Sequence, residues 1–142
     1  MNDMANEEKK AYLMGYIQAK RREVLIQKQI EELRSQKTSP SVLNDGMPHG
    51  SSVGDLSGYM ASMDNLLNRL REEKENAVRQ YEQVQSQIEK MGDETEKELL
   101  KRRYLLREGW EEIAVQMCYN YRYVLKIHGR ALQHFELPKK GH

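Results

Sequence analysis

The stretch EGWEEIAVQMCYNYRYVLKIHGRALQHF, residues 108–135, decides how this chain is read. Glu108-Gly109 breaks whatever helix precedes it, Trp110 to Met117 predicts a short helix, and Cys118-Tyr119-Asn120 a three-residue turn. Tyr121 to Phe135 predicts a longer helix, with Asn120 as its N-cap. Short helix, tight turn and longer helix is the order of a helix-turn-helix unit. Spacing tests the idea harder than order does. Ile113 and Ala114 stand together with Met117 one turn later, and Val124, Ile127 and Ala131 recur at helical spacing on the second element. A crossed helix pair needs that set, with small Ala114 permitting close approach and the larger side chains forming the wedge. Trp110 and Phe135 are expected to anchor the pair to Leu99, Leu100 and Tyr104, and His128 falls on the inner side as a packed histidine.

Turning those residues inward leaves Tyr121, Arg122, Leu125, Lys126, Gly129, Arg130 and Gln133 outward. A helix of this kind enters a DNA major groove by its N-terminal part. Tyr121, Arg122 and Lys126 are therefore the candidates for base edges, and Leu125 for a thymine methyl. Arg130, Lys139 and Lys140, with Arg102, Arg103 and Arg107 from the preceding helix, are the candidates for phosphate contact. The formal net charge of +1 conceals this polarity, since from Met117 onward five basic residues stand against one acidic residue. A phosphate backbone responds to such a local excess. Opposing this reading is an ordinary solvated helix face, which the inward pattern disfavours.

Upstream, Gly92 follows Met91 like a helix stop, and Asp93 with Glu96 forms a D-x-x-E capping box for the helix running to Arg107. Residues 92–142 are therefore expected to form the DNA-binding domain. Before it, Leu56, Met60, Met63, Leu67, Leu70, Lys74, Ala77, Tyr81, Val84, Ile88 and Met91 alternate steps of four and three, the mark of a coiled-coil seam over residues 55–91. A first helix within residues 1–36, spanning about Glu7 to Gln36, has Tyr12, Tyr16, Ala19, Ile26, Ile30 and Leu33 in a stripe that Glu23 interrupts. Residues 37–54, KTSPSVLNDGMPHGSSVG, gather two of the three prolines and read as a flexible loop. The expected fold is all-α: a long antiparallel coiled-coil hairpin followed by a helix-turn-helix domain. Glu23 and Lys74 are the candidates for setting register or partner choice, and the seam also suits a homodimer.

Composition excludes other classes. At 142 residues and 32% charged, the chain suits one or two small helical units better than an enzyme with a deep apolar pocket. It offers no glycine-rich phosphate loop and no nucleophile with a positioned base, and Glu111-Glu112 reads as first-turn helix charge. The single Cys118 and the scattered His49, His128, His134 and His142 give no metal-ligand spacing, so neither metal nor cofactor is expected. No signal-like or membrane-spanning apolar run occurs, which predicts a cytoplasmic protein without a membrane partner.

At residues 99–135 the chain resembles region 4 of sigma-70-type factors, a basic helix followed by W-x-E-I-A and a V-x-x-(I/R)-x-x-x-A-L helix. It is more closely similar to a family of small phage and prophage proteins of Gram-positive bacteria. In these, W-E-E-I-A followed by Y-x-x-V-x-x-I-H-x-x-A-L is typical, matching Trp110 to Ala114 and Tyr121 to Leu132. The resemblance implies a late-gene transcription regulator in the host bacterial cytoplasm, with double-stranded DNA and host RNA polymerase as partners. Cys118 departs from the pattern, because many such turns have glycine there to allow a positive φ. The absence of a promoter-melting segment argues against a complete sigma factor. Two alternatives remain open at this point: a DNA-packaging subunit of small-terminase type, and a protein-binding adaptor built on a helix-turn-helix.

Overall fold

A computed structural model of the chain describes residues 2–38 and 52–139, and among these every regular element is helical. In order they are α1 (Asn2–Leu13), α2 (Gly15–Thr38), α3 (Ser52–Glu89), α4 (Glu94–Leu100), a π-helical turn (Lys101–Leu105), α5 (Trp110–Met117) and α6 (Tyr121–His134). The all-α expectation holds. Most of the expected loop over residues 37–54 lies outside the described residues, as does Lys140.

The chain divides into two compact units. One combines residues 1–19 and 77–142, and the other is Lys20–Asn76. The expected boundary at Gly92 therefore falls inside a unit. The physical reason is a shared core: Leu13 from α1 and Val84, Ile88 and Met91 from the end of α3 are buried in one cluster with Leu99, Leu100, Tyr104, Ile113, Val124, Ile127, Ala131 and Phe135. Polar contacts tie the same elements. Lys9 Nζ donates to the carbonyls of Leu132 and Gln133 at 2.8 and 3.2 Å, meeting the exposed carbonyl end of α6 with positive charge. The Tyr12 and Phe135 rings lie 6.0 Å apart, and Gln87 Nε2 donates to the Glu136 carbonyl at 2.8 Å.

The first helix is interrupted at Met14, although the Met14 and Gln18 amides still reach carbonyls four residues back. Gly15 follows the break, and the Gln80 side-chain amide occupies the space a Cβ there would need. One residue on, Tyr16 meets Tyr81 edge to face at 5.1 Å.

In the second unit, part of α2 faces part of α3. Arg22 Nε lies 3.1 Å from Glu73 Oε1, while residues from Gln29 to Gln36 and from Ser62 to Glu72 line a single open groove. Ile26, Ile30 and Glu23 are buried on α2, the last held by Lys20 at 3.1 Å. The α3 seam differs from expectation. Ala77, Val84, Ile88 and Met91 are buried and Met63 and Leu70 half-buried, but Leu56, Met60, Leu67, Lys74 and Tyr81 are exposed, and Tyr59, Leu66, Glu73, Gln80 and Gln87 turn inward instead. Both series share every seventh residue and differ by one position in between, which turns the centre of the stripe by about 50° on a helix. Contacts across the pair choose between them: Glu73 is turned toward Arg22 and Gln80 toward Gly15. Lys74 therefore lies off the contact with α2.

If residues 1–19 belong to the C-terminal core, Leu13→Ala should lower its stability by about 2–5 kcal/mol. Urea unfolding followed through Trp110, the only tryptophan, measures this. An unchanged Trp110 transition would separate α1 from that core.

Candidate nucleic-acid interface

The candidate interface is built on α5, α6 and the turn between them. Glu111 and Glu112 stand in the first turn of α5, where negative charge suits the helix dipole. The helix ends at Cys118, which adopts φ 61° and ψ 40°, the left-handed conformation. Two bonds close this end: the Cys118 amide donates to the Val115 carbonyl at 3.2 Å and the Tyr119 amide to the Ala114 carbonyl at 3.0 Å. This is a Schellman cap made without glycine. The chain then re-enters helix at Asn120, whose Oδ1 accepts from the Tyr123 amide at 2.8 Å. The turn lies at the expected residues.

The expected inward set packs as its spacing requires. Ile113, Val124, Ile127 and Ala131 are inaccessible, Ala114 is buried, and Met117 packs against the same cluster. Phe135 is also fully buried and Trp110 half-buried, while Leu99, Leu100 and Tyr104 form the wall they meet. His128 is buried with its Nε2 2.8 Å from the Tyr104 hydroxyl, and Trp110 stands edge-on to it at 4.6 Å. Burial, reinforced by the charges of Lys10 and Arg103, pushes the His128 pKa down to about 4, so the ring is neutral at pH 7. Burial likewise pushes Tyr104 up to about 12.

On the opposite face of α6, Tyr121, Arg122, Leu125, Lys126, Arg130 and Gln133 are all exposed. Arg122 and Lys126 have no ion pair or hydrogen bond among the described residues, and neither does Lys139. Tyr119 and Tyr123 join this face, a feature the sequence reading missed. Their rings meet edge to face at 4.9 Å, and the Arg130 guanidinium lies 5.9 Å from the Tyr123 ring centre. The i, i+4 spacing of the two tyrosines across the turn is the signal that was available. Gly129 is half-exposed with open space where a Cβ would stand, so internal crowding does not explain it.

The other phosphate candidates differ in surroundings. Arg102 is held by Glu98 at 2.8 Å and by Glu108 at 3.2 Å, contacts that raise its pKa, chiefly through Glu98. Arg103 lies 4.3 Å over the Trp110 ring and donates to the Glu108 carbonyl at 3.2 Å. Arg107 is exposed, 5.9 Å from the Tyr16 ring centre, and adopts φ 62° where the π-helical turn ends. Lys97 and Lys101 converge on Glu89 at 3.7 and 2.7 Å, and these lysines, Lys101 foremost, hold its carboxyl below the usual range. The expected capping box is half formed: Asp93 accepts from the Glu96 amide at 2.9 Å, but the buried Glu96 carboxylate turns to His134 Nδ1 at 2.8 Å. No group of metal-ligating side chains occurs among the described residues, and no helix there is long and apolar enough to cross a membrane. The chain matches no known protein family, curated protein or solved structure.

Two measurements follow from this geometry. A non-glycine residue in the left-handed region is strained by about 1 kcal/mol, so Cys118→Gly should raise stability by that order; equilibrium denaturation giving a loss instead would contradict the turn. His128 is protonated more readily unfolded, near pH 6.5, than folded, near pH 4. Its contribution to stability is thus complete above pH 6.5 and declines as pH falls toward 4, by up to about 1.4 kcal/mol per unit. Denaturation across that range should show a shallower pH dependence in His128→Gln than in the wild type.

Proposed function

We propose that the chain is a non-enzymatic, sequence-specific DNA-binding regulator of phage transcription, in which α5, the Cys118 turn and α6 form a helix-turn-helix that places α6 in the major groove. The observation that carries this is the pairing pattern of the cations. Arg122 and Lys126 stand exposed on the first two turns of α6 with no intramolecular partner among the described residues, whereas Lys97, Lys101 and Arg102 are committed to carboxylates. Free donors at the leading end of such a helix suit guanine O6 and N7, and Leu125 beside them suits a thymine methyl. Tyr121 completes the base-facing row.

Arg130, Arg107 and Lys139 supply phosphate contacts in this reading, and Tyr119 and Tyr123 extend the same face. Arg102 and Arg103 act mainly by holding the π-helical turn against α5, through Glu108 and Trp110. The antiparallel α2–α3 pair serves as a coiled-coil hairpin that spaces or assembles the protein. Host RNA polymerase is a second partner in this proposal.

The test is binding selection against DNA of the protein's own genome at several salt concentrations, followed by gel shift with the selected sequence. Arg122→Ala and Lys126→Ala should each weaken specific binding at least about tenfold, since a bidentate base contact contributes about 1–3 kcal/mol. Arg130→Ala should weaken all sequences alike and reduce the salt dependence. Helicity should be unchanged in all three. Unaltered binding by the first two variants would remove α6 from the reading role. Retention by RNA polymerase without a shift of any DNA would make the protein an adaptor.

A further inference from the structure

Beside its contact with α2, the helix α3 has a second apolar row that remains exposed among the described residues. Leu56, Met60 and Leu67 are 46%, 56% and 41% exposed, and Lys74 follows them at helical spacing. They flank half-buried Met63 and Leu70 on one side of the helix. A single exposed leucine is ordinary on a protein surface, but a row at coiled-coil spacing is the pattern of a face that receives another helix.

The charges along this row restrict what that helix is. Asp64 precedes Leu67 by three residues and Arg71 follows it by four, both exposed on the outer edge of the row. Neither has an ion pair among the described residues, Arg71 meeting only the Asn68 side-chain oxygen at 3.3 Å. Met60 and Lys74 lie seven residues to either side of Leu67. Reversing the helix end for end about Leu67 sets Leu67 against Leu67 and Met60 against the aliphatic stem of Lys74, and it brings Asp64, on the same edge of the row, to within one residue's rise of Arg71. A parallel two-fold pairing would carry the Asp64–Arg71 edges of the two copies to opposite sides of the interface, where they do not meet.

We propose that this face is occupied by a second copy of the chain, with α3 against α3 in antiparallel sense about a two-fold axis beside Leu67. A two-fold interface must be self-complementary, and this row meets that condition in both charge and apolar content. The inference does not rest on the DNA-binding reading.

Sedimentation of the full chain over a range of concentrations tests it. The wild type should form a dimer. Asp64→Arg and Arg71→Asp should each weaken the dimer at least about tenfold by setting like charges opposite each other. The combined D64R/R71D variant should restore it, and Leu67→Glu should give a monomer with unchanged helicity. A wild-type monomer at every concentration, a ring-sized oligomer, or a dimer indifferent to the single reversals would overturn the proposal. So would a double reversal that fails to restore the dimer.

Discussion

The outward face of α6 depends on what its inner face must bury. Val124, Ile127 and Ala131 recur at three- and four-residue steps, and all are inaccessible against Ile113, Ala114 and the Leu99–Leu100 wall. At 3.6 residues per turn, burying that stripe fixes the direction of every other side chain. Arg122 and Lys126 have no alternative to facing out. The turn sets the angle at which this happens, and it requires Cys118 in the left-handed region, where the closing bonds to Ala114 and Val115 offset its strain.

The distribution of ion pairs sorts cations that look equivalent by composition. Along α4 and the π-helical turn, Lys97, Lys101 and Arg102 meet Glu89, Glu94, Glu98 and Glu108, so their charge is locally compensated. Along α6, Arg122, Lys126 and Arg130 have no acidic neighbours at pairing distance among the described residues. An approaching polyanion meets an uncompensated field there. The buried Tyr104–His128 contact lies directly behind this face, and its neutrality at pH 7 keeps charge out of the core on which α6 rests.

Much of the C-terminal region was legible because it depends on local periodicity. The sorting of residues 110–135 into inner and outer sets, the turn at 118–120 and the Asn120 cap all follow from short-range rules. The misreadings have nonlocal causes. The attachment of Leu13, Tyr12 and Lys9 to α6 joins residues more than a hundred positions apart, and no pattern within either segment announces it. The seam on α3 was displaced by one position because two interleaved series share every seventh residue, and only partners on α2 distinguish them. Glu96 has the sequence of a reciprocal capping box but finds His134 across the fold. The π-helical turn at Lys101–Leu105 and the left-handed Arg107 after it have no breaker residue to mark them, although they set the course of the chain into Gly109 and α5.

On the function proposed above, the outward face of α6 is the surface that meets DNA. The most direct measurement is an NMR titration of the assigned full chain with its selected DNA duplex, read at individual backbone and side-chain signals. The account expects the largest changes at Tyr121, Arg122, Leu125 and Lys126, with lesser ones at Arg130 and Lys139 and little change along α2. Changes centred on α4 or on the α2–α3 pair, with α6 unaffected, would contradict it.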